Sequence, residues 1–183
     1  MSKHKLVFSL LFGLVLLVSS CRSPEYQYLK NGDDYADQGK WNEAVAEYTK
    51  AIEIAPKLAE AYNNRASAYT ENGDYAKAIA DCNKVIEMDP ESVVAYYNRS
   101  IAYLYNRQYE NALNDCDKIL EMGLNSPWVY YHRGMAYIGM GEYNGALSSF
   151  IQAKKISTDP QFNQMIDKQM NSVQGFVDKK KTQ

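Results

Sequence analysis

Histidine is nearly missing from this chain of 183 residues, which has only His4 and His132. A mechanism built on imidazole would therefore rest on one side chain, because His4 falls in a leader segment. Three cysteines supply no Cys/His cluster at zinc spacing. There is no GxSxG elbow, no HExxH helix and no phosphate-cradling GxxxxGK. Gly139-Met140-Gly141 follows no strand, so it reads as a turn between helices and not as a dinucleotide loop. Neither sign of charge dominates: 20 Lys+Arg against 22 Asp+Glu leave a formal charge of −2, which excludes the basic footprint of a nucleic-acid binder. The expectation is a protein that is not an enzyme, with no catalytic residue, no metal and no cofactor.

Long apolar runs are also scarce. The one present, residues 6–18, follows Lys3 and Lys5 and is too short to cross a bilayer comfortably. It has the layout of a signal peptide over residues 1–20. The segment ends Val18-Ser19-Ser20-Cys21, which resembles the bacterial lipobox. That resemblance implies cleavage before Cys21 and acylation of it, giving a stable membrane anchor. An ordinary secretory signal is the alternative, since Val18 and Ser20 also fit a small-residue cleavage site. Cys82 and Cys116, at equivalent positions of neighbouring repeats, read as small buried apolar residues and not as a disulfide pair.

What the chain does have is a repeating unit, of a length typical of helical solenoids. Ala44, Ala78, Ala112 and Ala146 recur at one fixed spacing, as do Tyr35, Tyr69, Tyr103 and Tyr137, and Trp41, Tyr75, Tyr109 and Tyr143. Gly39, Gly73 and Gly141 mark one point in three units. Four units follow without a gap: 25–58, 59–92, 93–126 and 127–160. Each holds two amphipathic helical stretches joined by a polar turn, and Pro56, Pro90, Pro127 and Pro160 punctuate the boundaries. Residues 21–24 form the lipidated Cys and a short tether. Residues 161–177 place Phe162, Met165, Ile166, Gln169, Met170, Val173 and Val177 on one face, as a capping helix would. Residues 178–183 are a basic tail. Such periodicity predicts an all-α solenoid whose units bury apolar surface only against their neighbours.

Two charged ladders share the period. Arg65, Arg99 and Arg133 lie in the first helices, and Glu47, Asp81 and Asp115 in the second. Glu47 precedes Arg65 by the same interval as Asp81 precedes Arg99 and Asp115 precedes Arg133, with no member left over. The expected pairs therefore join the acid of one unit to the arginine of the next. Their role would be structural, fixing how units stack.

These units resemble tetratricopeptide repeats (TPRs), as in Tyr62, Ala66, Tyr69, Tyr75, Ala78 and Pro90 of the second. The resemblance implies an α-solenoid of four helix-turn-helix units whose first helices line a concave groove for partners. By that correspondence the groove begins polar and mildly acidic, with Tyr26, Lys30, Asp33, Asp37, Glu60, Asn63, Asn64, Ser67 and Glu71. It ends aromatic and apolar, with Val94, Tyr97, Asn98, Ile101, Leu104, Tyr105, Trp128, Tyr131, His132, Met135 and Ile138. Cochaperone members clamp a terminal carboxylate with basic and Asn side chains. Only Asn64 matches that clamp here; Leu29, Asp33, Val94 and Asn98 occupy the other positions, so chaperone-tail binding is not implied.

The expected function is a lipid-anchored scaffold that recruits or helps assemble membrane-proximal proteins of a bacterial envelope, at the periplasmic face of the outer membrane if the cell has two membranes. The alternatives are an enzyme or small-ligand carrier using the aromatic groove around Trp128 and His132, and a self-associating structural protein.

Overall fold

A computed structural model describes residues 23–181 of the chain. The leader and Cys21 lie outside the described residues. Every regular element among those described is a helix. The first pair is α1 (Pro24–Ala36) with α2 (Trp41–Ile54), the second α3 (Ala59–Glu71) with α4 (Tyr75–Met88). The third is α5 (Val93–Tyr105) with α6 (Tyr109–Glu121), the fourth α7 (Pro127–Met140) with α8 (Tyr143–Ile156). A last helix, α9 (Pro160–Lys181), closes the order. None of these is long and apolar enough to cross a membrane.

The Tyr ladder marks where each first helix ends. The carbonyls of Tyr35, Tyr69, Tyr103 and Tyr137 each accept the amide five positions on, at 3.0, 2.8, 2.8 and 2.9 Å. This Schellman-type closure needs a residue in the left-handed region. Gly39, Gly73 and Gly141 supply it, and Arg107 takes the same place with φ 58°.

Within each hairpin, side-chain volumes compensate across the two helices. Gly32 faces Tyr48 and Gly134 faces Phe150, whose rings occupy the space a β-carbon would need. At the corresponding positions of the middle units Ala66 and Ser100 face the smaller Cys82 and Cys116, all fully buried. Those thiols are free, and burial pushes both up to about 12.

The first helices touch one another in sequence (α1 with α3, α3 with α5, α5 with α7), whereas the second helices make no comparable contact among themselves. The array therefore curves with the first helices on its inner side. α9 enters in the register of a fifth unit, Phe162 standing one full repeat after Trp128. Asp159 caps it, accepting the amides of Gln161 and Phe162 at 2.8 and 3.3 Å. Phe162, Ile166 and Val173 are buried in one cluster with Phe150 and Ala153 of α8.

The charge ladders pair differently from the sequence expectation. Arg65 binds Asp81 through Nε and Nη2 at 2.7 and 2.8 Å, and Arg99 binds Asp115 at 2.8 and 2.7 Å, both inside their own units. Arg133 does reach the preceding unit, but to Asp117 at 2.6 Å and not to Asp115. Glu47 takes Lys50 and Asn31, at 2.5 and 3.1 Å. Helix geometry explains the correction. Two residues are about 200° apart on a helix, so Asp81 looks back to Arg65 while Asn83 looks forward and accepts from Arg99 at 2.5 Å. Each arginine thus bridges the second helices on both sides, at equal sequence distance in either direction: Thr49 and Asp81, Asn83 and Asp115, Asp117 and Ser149. Asn31 fills the arginine's place in the first unit, which is why Glu47 is not left over.

Candidate functional site

The inner row of first helices carries the candidate groove, and its two ends differ in chemistry. At the α1–α3 end, Asp33 Oδ1 accepts from Tyr48 Oη at 2.8 Å and from Asn64 Nδ2 at 3.0 Å. Burial, then the neighbouring Asp33 carboxylate, pushes the Tyr48 phenol well above its usual range. Asn98 Nδ2 reaches the Asn63 carbonyl at 3.4 Å. Both asparagines therefore use their amide donors to join successive first helices, and keep carbonyl oxygens for other partners. Leu29, the residue at another clamp position, is buried in the first unit's core.

At the α5–α7 end the row is aromatic. His132 lies among Tyr97, Tyr131 and Trp128, with ring centroids at 5.3, 6.0 and 6.3 Å. Its Nδ1 is buried without a hydrogen-bond partner, and burial pushes the imidazole down to about 4. The ring is therefore neutral at ordinary pH. Beside it opens a cleft of about 310 Å³ lined by Ile101, Leu104, Tyr105, Tyr131, His132, Met135 and Ile138, and by Tyr109 and Gly139. Val94 and Tyr105 stand 56% and 62% exposed along this stretch.

Of the residues expected in the groove, Ile101, Leu104, Tyr105, Tyr131, His132, Met135 and Ile138 meet in the cleft. Tyr97 backs it through His132, while Asn64 belongs to the polar end. Trp128 stands apart. Its ring lies 4.1 Å from that of Phe162, which also meets Tyr131 at 5.6 Å. The cap helix thus closes the far end of the groove and leaves the cleft open. Tyr109 and Gly139 were not among the expected residues. The Tyr109 ring packs into the space that a β-carbon on Gly139 would need. The period held the signal, since the aromatic that opens a second helix packs onto the end of the next unit's first helix, as Tyr75 does on Tyr105 at 5.8 Å. Among the described residues no group of three His, Cys, Asp or Glu side chains converges to hold a metal ion.

Comparison with known proteins places this geometry. Models of the tetratricopeptide repeat match residues 32–73, 59–92, 82–114 and 129–160. No curated protein matches the chain. Among solved structures, the TPR2B domain of yeast Sti1, in its complex with pHsp70, is 30% identical over 63% of this chain and 97% of that one, with a TM-score of 0.60. The first TPR domain of Spaghetti (RPAP3), bound to the HSP90 peptide SRMEEVD, is 27% identical over 64% and 94%, with a TM-score of 0.62. A tetratricopeptide repeat protein from Parabacteroides merdae is 27% identical over 82% of this chain and 59% of its own, with a TM-score of 0.73.

Proposed function

The chain belongs to the tetratricopeptide repeat family, and on that premise we propose that it is a lipid-anchored scaffold that captures a membrane-proximal envelope protein in the concave groove. Relatives that hold peptides support the protein-binding part of this reading. The anchor and the envelope setting rest on the signal-like leader and on Cys21. Arg22, Ser23 and Pro24 between that residue and the first repeat would span only about 10 Å. A partner would have to be close to the membrane.

The observation that carries the proposal is the exposed apolar cleft between α5 and α7, on the row of helices that faces inward. Apolar surface left open beside aromatic anchors marks interfaces more often than it marks catalysis. At about 310 Å³ the cleft sits at the lower end of small-ligand pockets, enough for a large side chain. A His132 imidazole held near 4 is a weak base, and its ring contacts are aromatic. Both facts weigh against the enzyme reading.

The test is a photo-crosslinking side chain placed at Ile101 in one variant and at Lys84, on the outward α4, in another. Capture of a partner from intact membranes at Ile101 and not at Lys84 is expected. Tyr97→Ala should weaken that capture by about 2 kcal/mol, some thirtyfold, without unfolding the array. Adducts confined to Lys84 would place the binding surface on the other side. Trp128→Ala is a poorer probe, because it would also loosen Phe162 and the cap.

A further inference from the structure

The two ends of the groove differ in charge, and the repeat register shows that they belong to one continuous surface. Ile101 and Met135, which line the cleft, correspond to Asp33 in α1; Tyr105 corresponds to Asp37 and Glu71, and Val94 to Glu60. In the first two units these positions carry four carboxylates with Ser67 and Tyr26, whereas in the last two they carry no charged side chain. Asp37, Glu60 and Glu71 are exposed. Lys30 on α1 is bound to Asp34 at 2.9 Å, Lys40 donates to Gln38 at 2.9 Å, and Lys57 is exposed just before α3. No charged side chain lines the apolar cleft.

Resting on the scaffold reading above, we infer that the groove selects an extended segment bearing a cationic end and, about six residues away, a large apolar side chain. The spacing follows from the stack. Successive first helices packed roughly 10 Å apart put about 20 Å between the α1–α3 acids and the α5–α7 cleft, which an extended chain crosses in about six residues. Charge decides the cationic end: Asp37 and Glu71 share one register position at the C-terminal ends of α1 and α3, so an ammonium is favoured there and a carboxylate repelled. Asp33, which ties α1 to α3 through Asn64, adds a negative charge where an anionic peptide end would have to settle. This polarity is opposite to that required by SRMEEVD, the acidic peptide held by the Spaghetti domain. The apolar residue enters beside the His132 ring, which lines the cleft with Tyr131 and Met135.

Fluorescence polarisation on the full-length protein in detergent tests this with labelled peptides carrying two lysines, a five-residue Gly/Ser spacer and a Leu-Phe pair. That peptide should bind at least tenfold tighter than counterparts with glutamates for the lysines, serines for the Leu-Phe pair, or a one-residue spacer. Asp37→Lys combined with Glu71→Lys, both on exposed positions, should erase the lysine preference and leave folding intact. Equal or tighter binding of the glutamate peptide would overturn the inference, as would the absence of binding by any of the peptides. If Ile101 still captures a partner from membranes in that case, the scaffold reading survives and only this specificity falls. Loss of both results would remove the two together.

Discussion

Phe150 Cε1 lies 2.5 Å from the point that a β-carbon on Gly134 would occupy. The ring is fully buried, so it has nowhere to retreat. Gly134 is thus required by its neighbour across the hairpin, although its own helix would be better served by alanine.

Gly134→Ala should therefore destabilise the protein by about 2 kcal/mol through overpacking. Gly175, in α9, meets nothing within 4 Å of the same hypothetical atom. Gly175→Ala should instead raise stability by about 0.5 kcal/mol. Urea midpoints of the two variants decide the matter, and equal effects would contradict the packing argument.

The arginine ladder should not be uniform in strength. Arg99 and Asp115 are shielded, with side chains 17% and 5% exposed, whereas Arg133 and Asp117 are 26% and 41% exposed. Both members of the shielded pair shift upward, which favours the charged form of Arg99 and disfavours that of Asp115. The Asp115 hydrogen bonds hold Arg99 above its usual range, while burial pushes the Asp115 carboxyl up. The bidentate geometry settles in favour of two charged groups, with a desolvation cost that keeps the net gain small. Removing one partner is another matter. Arg99→Ala should cost about 3 kcal/mol by stranding Asp115, and Arg133→Ala no more than about 1 kcal/mol. Denaturant titration of both variants gives the ranking.

The sequence disclosed the array through its period, its alternating helices and the alanine and tyrosine ladders, because each of those residues does the same job in every unit. It misled where the job is shared. An arginine that bridges two flanking helices can be matched to acids in either direction by counting, and only the half-turn between Asp81 and Asn83 tells them apart. Asn31 hid the first member of the ladder by being uncharged. Arg107 kept a left-handed turn without glycine, so the turn was visible only through its neighbours. The cleft was half legible: Ile101 and Tyr105 followed from register, whereas Tyr109 enters because Gly139 yields the space. That the cap would reach Trp128 depended on where Phe162 lands, which register suggests and only packing decides.

His132 gives a pH signature. Its imidazole sits near 4 in the folded chain against about 6.5 when unfolded. Between those values the unfolded chain binds more protons, so acid favours unfolding. The stabilising effect is whole above pH 6.5 and shrinks as pH falls toward 4. By pH 5 the loss should reach about 2 kcal/mol. Stability measured from pH 7 to 5 should fall more steeply for the native sequence than for His132→Gln. Parallel slopes would mean that the ring is not shielded as described.

The anchor proposed for Cys21 has a direct chemical readout. Cells fed a clickable palmitate should label the native chain, and Cys21→Ser should lose the label and the membrane association together. Undiminished labelling of that variant would remove the anchor, since Cys82 and Cys116 are buried thiols out of reach of an acyl donor.

One register position runs Asn31, Arg65, Arg99, Arg133, Asp167. In a growing polymer, the arginine would be the coupling group, and it is missing at both termini. Asp167 instead takes Lys154 of α8 at 2.6 Å, in a pair open to solvent. A unit duplicated inside the array would meet arginines on both flanks and splice into the existing bridges. A unit appended beyond Asp167 would find no guanidinium to dock on, and a second molecule approaching end-on would find none either. Insertions that lengthen this kind of chain should therefore settle in its interior, with the two blocked ends carried along unchanged.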